Sequence, residues 1–130
     1  FSIFFIDLDD LKTINDQFGH NTGDMALMHV ARIIKSEVRP YDLAARFGGD
    51  EFVLLLCNVN KEQASYIAER IRSTAEQFIF VMESQQIPIR LSLGVTSLNA
   101  EDMELNQILQ RADTALYKAK NDGRNRIIIT

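Results

Sequence analysis

Residues 44–56, AARFGGDEFVLLL, place two glycines and two carboxylates within a run that otherwise has the composition of a hydrophobic strand. The glycine pair is typical of a tight turn, so the segment predicts a β-hairpin with strands at LAARF and EFVLLL. Asp50 and Glu51 then stand where the second strand begins. Burying them in an apolar core would cost several kcal/mol unless a cation met them. The hairpin therefore predicts a cationic partner for its acids.

A second acidic cluster, DLDD, ends the first predicted strand, SIFFID. Asp7 and Asp9 are expected to project to one side of that strand and Leu8 to the other. Acids at two strand ends of one small sheet can converge on a cation, and hard oxygen ligands suit Mg²⁺ or Mn²⁺ rather than zinc. The hairpin by itself leaves an alternative open, which is an ordinary turn with solvated acids.

The apolar spacing predicts the fold around these clusters. A short helix at LKTINDQF ends at Gly19, and three longer amphipathic helices follow it, the first with Asp24 as its N-cap. Further strands are expected at FIFVM, IPIRLSLGVTSL and NRIIIT. The order β-α-α-β-β-α-β-β-α-β predicts an α/β protein of the α+β type, with one mixed central sheet flanked by helices. Gly94, inside a strand pattern, predicts a bulge or a close backbone approach.

Composition excludes several classes of protein. No apolar run among the 130 residues approaches the roughly 20 residues that cross a bilayer. The single cysteine, Cys57, excludes an internal disulfide and a multi-cysteine zinc site, and we expect it to be a small core residue. The net charge of −4 argues against non-specific binding of nucleic acid, but it allows a phosphate ligand held by a few local cations.

The stretch INDQFGHNTGD contains an amide and an acid that a loop can bring together. The carboxylate of Asp24 can accept from N1–H and the exocyclic amino group of guanine, and Asn15 can meet another edge of the base. The alternative is helix capping, with His20 simply at the surface.

The stretch KAKNDGRNR places cations at the end of the last helix. Lys120 and Arg124 can close on a triphosphate, and Lys12 can do likewise from behind the first acidic cluster. The alternative is the favourable placement of positive charge at a helix C-terminus.

Four segments together resemble the successive signature segments of the GGDEF domain family, in the order and at the spacing of that family. They are FFIDLDDLKTINDQFGHNTGD, RPYDLAARFGGDEFVLLL, LSLGV and RADTALYKAKNDGRNRI. The resemblance implies a fold like the polymerase palm and the class III nucleotidyl cyclases. It also implies diguanylate cyclase activity, which joins two GTP molecules into cyclic di-GMP and releases two pyrophosphates. We expect residues 1–130 to form a GGDEF domain that lacks the segment usually found before the first strand of the family.

The resemblance also implies roles for individual residues. Mg²⁺ or Mn²⁺ is expected on Asp7, the carbonyl of Leu8, and Asp50. The residues expected to act in catalysis are Asp50, Glu51 and Lys12, with Asp50 the best candidate to help deprotonate the attacking hydroxyl. The residues expected to bind GTP are Asn15, His20, Asp24, Gly48, Gly49, Lys120 and Arg124.

The stretch RPYD, five residues before Gly48, matches the product-inhibition motif RxxD of the family. Arg39 and Asp42, with Arg70 of the next helix, are then expected to bind cyclic di-GMP. The alternative is an ordinary surface pair of arginine and aspartate, which means little for stability.

The implied reaction needs two domains facing each other, so the resemblance implies a homodimer. A sensor or receiver domain is expected N-terminal to this chain, and the catalytic domain is expected in the cytoplasm, whether or not the full-length protein is anchored in a membrane. No nucleic-acid partner is expected. Two alternatives stay open: an inactive GGDEF module that only binds GTP or cyclic di-GMP, and another nucleotidyl cyclase or polymerase-like palm.

Overall fold

A five-stranded sheet of order β2-β3-β1-β6-β7 organises the computed structural model, which describes all 130 residues. Only the β6–β7 pair is parallel, so the mixed sheet predicted from the sequence is confirmed. The elements in chain order are β1 Ser2–Leu8, α1 Leu11–Phe18, α2 His20–Glu37, β2 Leu43–Arg46, β3 Glu51–Leu56, α3 Lys61–Gln77, β4 Phe80–Met82, β5 Gln85–Ile87, β6 Leu91–Ser97, α4 Leu105–Asn121 and β7 Ile127–Ile129.

Strand β1 is buried along its whole length, between β3 and β6. One face, with Phe4 and Ile6, joins the main core against α2 and α3. The other face, with Ile3 and Phe5, packs against α4. A strand covered on both faces has a continuous apolar run rather than an alternating one, which explains the composition of SIFFID. Asp7 continues the row of Ile3 and Phe5 toward α4.

Gly94 lets α4 approach the sheet closely, as its position inside a strand predicted. A Cβ on this residue would lie 2.2 Å from the backbone nitrogen of Leu116 and 2.3 Å from the carbonyl oxygen of Ala112. No side chain fits in that gap. The contact therefore fixes how far the C-terminal half of α4, and the cations that follow it, can stand from β1 and β6.

The start of α2 differs from the prediction. The helix begins at His20, so Asp24 lies within it as an exposed residue of its second turn and is not the N-cap. The reason is Gly19, whose φ of 93° separates α1 from α2 without any intervening loop. Its amide donates to the carbonyl of Asn15 at 2.8 Å and closes α1.

The segment IPIRLSLGVTSL is not one continuous strand. β5 ends at Ile87 and β6 begins at Leu91, with Pro88 between them, because proline has no amide hydrogen to donate to a sheet. β4 and β5 pair with each other in a separate two-stranded ribbon, so the chain has one strand more than the predicted order.

Cys57 is half-buried and does not lie in the core. It follows the last residue of β3, and its Sγ lies 3.5 Å from the carbonyl oxygen of Tyr41. The prediction of a core cysteine is therefore wrong, because the hydrophobic run ends one residue earlier. None of the four helices is both long enough and apolar enough to cross a membrane.

Candidate functional site

Asp7 is a buried carboxylate at the end of β1, with only 4% of its surface exposed. Lys120 of α4 forms an ion pair with its Oδ2. Its Oδ1 is buried without any hydrogen-bond partner. Burial lowers the pKa of Lys120, and the charge of Arg124 adds to that effect. A buried carboxylate oxygen without a partner is costly, so this atom marks a place for a further cation or donor.

The hairpin reaches the same place through the side chain of Glu51 and the backbone of Asp50. Glu51 stands directly opposite Asp7 in the β1–β3 register. The backbone carbonyl of Asp50 accepts from the amide of Leu8 at 3.1 Å, which joins the hairpin to the end of β1. Burial raises the pKa of Glu51, and the neighbouring charges of Asp113 and Asp50 raise it further.

A pocket of about 310 Å³ opens beside these acids on the α4 side of the sheet. Asp113 lines it together with Asp7, Glu51 and Lys120. Asp113 is not among the site residues expected from the sequence. A signal was present, because Asp113, Tyr117 and Lys120 recur at the spacing that places residues on one helix face.

The donors fit a hard divalent cation only in part. No group of three or more His, Cys, Asp or Glu side chains is arranged to hold a metal ion. The buried free oxygen of Asp7 is nonetheless the kind of ligand that Mg²⁺ takes, and magnesium sites commonly combine one or two carboxylates with the phosphates of a substrate. The residues present therefore suit a metal that arrives with a nucleotide better than a permanently bound one.

The turn of the hairpin presents bare backbone. Gly48 has a φ of 89°, a conformation that favours glycine. Gly49 has an ordinary φ, and apart from its two neighbours in sequence no residue lies within 4 Å of the place a Cβ would take. Arg46 Nη2 donates to its carbonyl at 2.7 Å and holds the turn. Nothing in the chain itself requires glycine at position 49, which leaves room for a ligand there.

The proposed base-binding residues come together around Gly23. The amide oxygen of Asn15 is buried without a partner. It lies so close to Gly23 that a Cβ there would be 1.8 Å away. Asp24 is the next residue, exposed on α2, and His20 is exposed at the start of the same helix. The structure thus brings Asn15 next to the turn of helix that carries Asp24.

The remaining candidate cations lie on the surface around the first acidic cluster. Lys12 is exposed on α1. Arg124 follows α4, and its Nε lies 3.7 Å from Oδ1 of Asp10. Lys120, one of the cations expected to bind phosphate, is paired with the buried Asp7.

Asp9 does not join Asp7 at this site. It is buried, and it accepts from Oγ of Ser92 at 2.7 Å and from the amide of Asn125 at 2.9 Å. Burial raises the pKa of Asp9, although the two hydrogen bonds oppose that shift. Its contacts are those of a residue that holds β1 to the segment after α4.

The RPYD stretch forms a bracket in which the aspartate is buried and the arginine stays partly exposed. The side chain of Asp42 is fully buried. It accepts from the backbone amide and from Nε of Arg39, each at 2.9 Å, and from the amide of Cys57 at 2.9 Å. The side chain of Arg39 remains 42% exposed. Arg70 pairs instead with Glu37, through Nε at 2.9 Å and Nη2 at 2.6 Å.

Comparisons with known proteins identify the family and the fold of this chain. The family model described as "Diguanylate cyclase, GGDEF domain" matches residues 1–126. Diguanylate cyclase A of Treponema denticola is 43% identical over 129 residues, which are 99% of this chain and 35% of that protein. This chain therefore spans about a third of the length of that curated relative.

Two solved structures have the same fold. The active GGEEF domain of a diguanylate cyclase from Vibrio cholerae has a TM-score of 0.91 at 41% identity, over 98% of this chain and 81% of that one. The GGDEF domain of DgcB from Caulobacter crescentus, solved in complex with c-di-GMP, has a TM-score of 0.93 at 30% identity, over 98% and 76% of the two chains.

Proposed function

This chain belongs to the GGDEF domain family, and from that premise we propose that it is a diguanylate cyclase that condenses two GTP molecules into cyclic di-GMP. The observation that carries the proposal is the buried, unpartnered oxygen of Asp7, at the place where β1 meets the Gly-Gly-Asp-Glu hairpin.

The proposed reaction consists of two equivalent phosphoryl transfers. The ribose 3′-oxygen of one GTP attacks the α-phosphorus of the other and forms a P–O bond. The bond from that phosphorus to the bridging oxygen breaks, and pyrophosphate leaves. The proton of the 3′-hydroxyl passes to a base, for which Asp50 is our candidate. The second transfer closes the ring.

Asp7, the carbonyl of Leu8 and Asp50 are the residues proposed to hold Mg²⁺ or Mn²⁺, with Glu51 supporting them. When bound, the ion would neutralise charge on the reacting phosphates. Lys120, which pairs with Asp7 and lines the pocket beside Asp113, is proposed to contact a phosphate there. Lys12 and Arg124 are proposed to act on the same charge from the surface.

The guanine base is proposed to bind where Asn15 lies against Gly23. The unpartnered oxygen of Asn15 and the exposed carboxylate of Asp24 can accept hydrogen bonds from the base, with His20 close by. The triphosphate then extends past the bare backbone of Gly48 and Gly49.

One such site holds one GTP, so the reaction requires two copies of this domain with their sites facing each other. We therefore propose a homodimer as the active form, in the cytoplasm where GTP is available. A further domain that controls pairing is proposed in the full-length protein.

The test is product formation by the dimeric full-length protein from GTP and Mg²⁺, resolved by chromatography. Asp50→Asn should abolish synthesis of cyclic di-GMP and leave the far-UV circular dichroism spectrum unchanged. Glu83→Gln, in the turn of the separate β4–β5 ribbon, is the matched control and should keep wild-type activity. Wild-type synthesis by Asp50→Asn would refute the assignment. GTP binding without product in wild type would favour the inactive binding module.

We further propose that cyclic di-GMP inhibits the enzyme at the bracket around Arg39. Asp42 already accepts four hydrogen bonds within the chain, the fourth from Nη2 of Arg39 at 3.4 Å, so its role is to hold Arg39, while the guanidinium groups of Arg39 and Arg70 meet the ligand. Arg39→Ala should relieve the slowing of progress curves by added cyclic di-GMP with little change in initial rate, and Arg70→Ala should do so more mildly. Identical slowing in wild type and Arg39→Ala would refute this site.

A further inference from the structure

The connection between α4 and β7 has an unusual backbone. Three successive residues have positive φ: Gly123 at 127°, Arg124 at 64° and Asn125 at 46°. Only the first is a glycine, and the left-handed region is unfavourable for residues that carry a Cβ. Such a conformation persists where surrounding contacts determine it.

Hydrogen bonds hold this connection on both sides of Arg124. The amide of Arg124 donates to the carbonyl of Ala119, in the last turn of α4, at 3.0 Å. The next amide, that of Asn125, donates to Oδ2 of Asp9 at 2.9 Å. The other oxygen of Asp9 is fixed by Ser92 of β6. The backbone around Arg124 is thus tied to the strand end that carries Asp7 and Leu8.

The side chain of Asn125 is held from α3. Nη1 of Arg72 donates to its Oδ1 at 3.0 Å, and its Nδ2 donates to Glu76. Arg72 is itself oriented by Glu69, one turn earlier on α3, and its side chain is only 16% exposed. Both ends of the side-chain amide of Asn125 are therefore engaged by α3. The proposed reaction assigns no residue to this helix, and Arg70 belongs to the proposed inhibitory site.

We propose that Arg72 is a positioning residue for phosphate binding, which acts through Asn125 to fix the backbone of Arg124 relative to the Asp7 end of β1. This inference rests on the proposed function. When the tether is lost, the left-handed connection relaxes, and the guanidinium of Arg124 samples positions away from the triphosphate. The base-binding residues on α1 and α2 make none of these contacts, so recognition of guanine should be unaffected.

The test is a double-mutant cycle in the full-length protein. Calorimetry measures the affinity for 3′-deoxy-GTP, which binds but cannot react, and for 3′-deoxyguanosine, which lacks phosphates. Arg124→Ala should weaken 3′-deoxy-GTP binding roughly tenfold, as expected for a hydrogen bond to a charged group. Arg72→Gln should cause most of the same loss. The double variant should bind no more weakly than Arg124→Ala, because Arg72 acts through Arg124. Affinity for 3′-deoxyguanosine should not change.

Two further variants separate positioning from general damage. Glycine at position 125 accepts the left-handed backbone but removes the side-chain amide. Asn125→Gly should therefore weaken 3′-deoxy-GTP binding as much as Arg72→Gln does, even if Arg72→Gln folds poorly. Arg111→Gln also breaks a partly buried arginine–carboxylate pair, with Asp102, at another loop. It should lower stability without changing nucleotide affinity.

The role of Arg72 would be overturned if the double variant lost affinity by the product of the two single losses, or if affinity for 3′-deoxyguanosine fell equally. The proposed function would still stand in that case, provided that the wild type binds 3′-deoxy-GTP. Failure of wild type to bind 3′-deoxy-GTP would overturn both.

Discussion

Replacing Gly23 by alanine should improve the helix and damage the proposed base site. Gly23 lies within α2 and has no positive φ, so alanine suits its backbone. Glycine in a helix interior is about 0.8–1.0 kcal/mol less favourable than alanine. The fold by itself therefore gives no reason for glycine at this position.

The reason lies in the side chain of Asn15. Because the new methyl group would be 1.8 Å from Oδ1 of Asn15, that oxygen must move by more than about 1.5 Å to reach ordinary van der Waals contact. The amide can rotate away, so the cost to stability is small. The hydrogen bond that we propose it accepts from guanine would be lost. A neutral hydrogen bond contributes about 0.5–1.5 kcal/mol, so the affinity for GTP should be roughly two- to tenfold weaker.

The assay pairs calorimetry with 3′-deoxy-GTP and urea unfolding. Gly23→Ala should bind more weakly by that factor, as should Asn15→Ala, and the double variant should be no worse than either alone. The urea midpoint of Gly23→Ala should be unchanged or higher than that of the wild type. Ser36→Ala raises helix propensity elsewhere in α2 without touching Asn15 and should leave the affinity unchanged. Wild-type affinity in Gly23→Ala would refute the assignment of Asn15 to the base.

Three other outcomes follow from the structure. Gly94→Ala should lower the free energy of unfolding by about 1–3 kcal/mol or more, because its Cβ would meet the backbone at Leu116, and an unchanged urea midpoint would contradict this. Burial, helped by the charge of Arg32, lowers the pKa of His29 below 6.5 in the folded state. Stability should therefore fall as the pH drops from 6.5 toward that lowered pKa, since the unfolded chain binds the extra proton, and His29→Gln should flatten this slope in urea titrations. Asp24→Ala should weaken GTP binding about tenfold. It should also abolish any preference for GTP over inosine triphosphate, which lacks the exocyclic amino group. A preference that survives in the variant would remove Asp24 from the base site.

Local patterns in the sequence predicted much of this fold. The continuous apolar run of SIFFID indicated the buried strand, the glycine pair indicated the hairpin, and Gly94 indicated the approach of α4. Each of these features depends on residues adjacent in the chain, on a spacing along one element, or on the lack of a side chain. The family membership predicted from the four signature segments is also confirmed.

Other features depend on contacts between residues far apart in sequence. Asp9 and Asn125 are 116 positions apart, and Arg72 and Asn125 are 53 apart. No local pattern predicts such pairs, so the sequence indicated that Asp9 would lie on the same side of the strand as Asp7. The early start of α2 was missed because Gly19 has two functions, as the end of one helix and the N-cap of the next. The proposed roles of individual site residues stay predictions until the variants are measured.

The central position of β1 has a consequence for synthesis on the ribosome. Its partners in the sheet, β3 and β6, come later in the chain, and the contact between Ser2 and Ser97 spans 95 positions. At roughly 5–20 residues per second, the apolar strand waits for about 5–20 s before its second neighbour emerges. During that time it has the composition of a segment that pairs with other chains. Slower translation of residues 60–90 should therefore lower the soluble yield of this protein more than it lowers that of a protein whose central strand is made last.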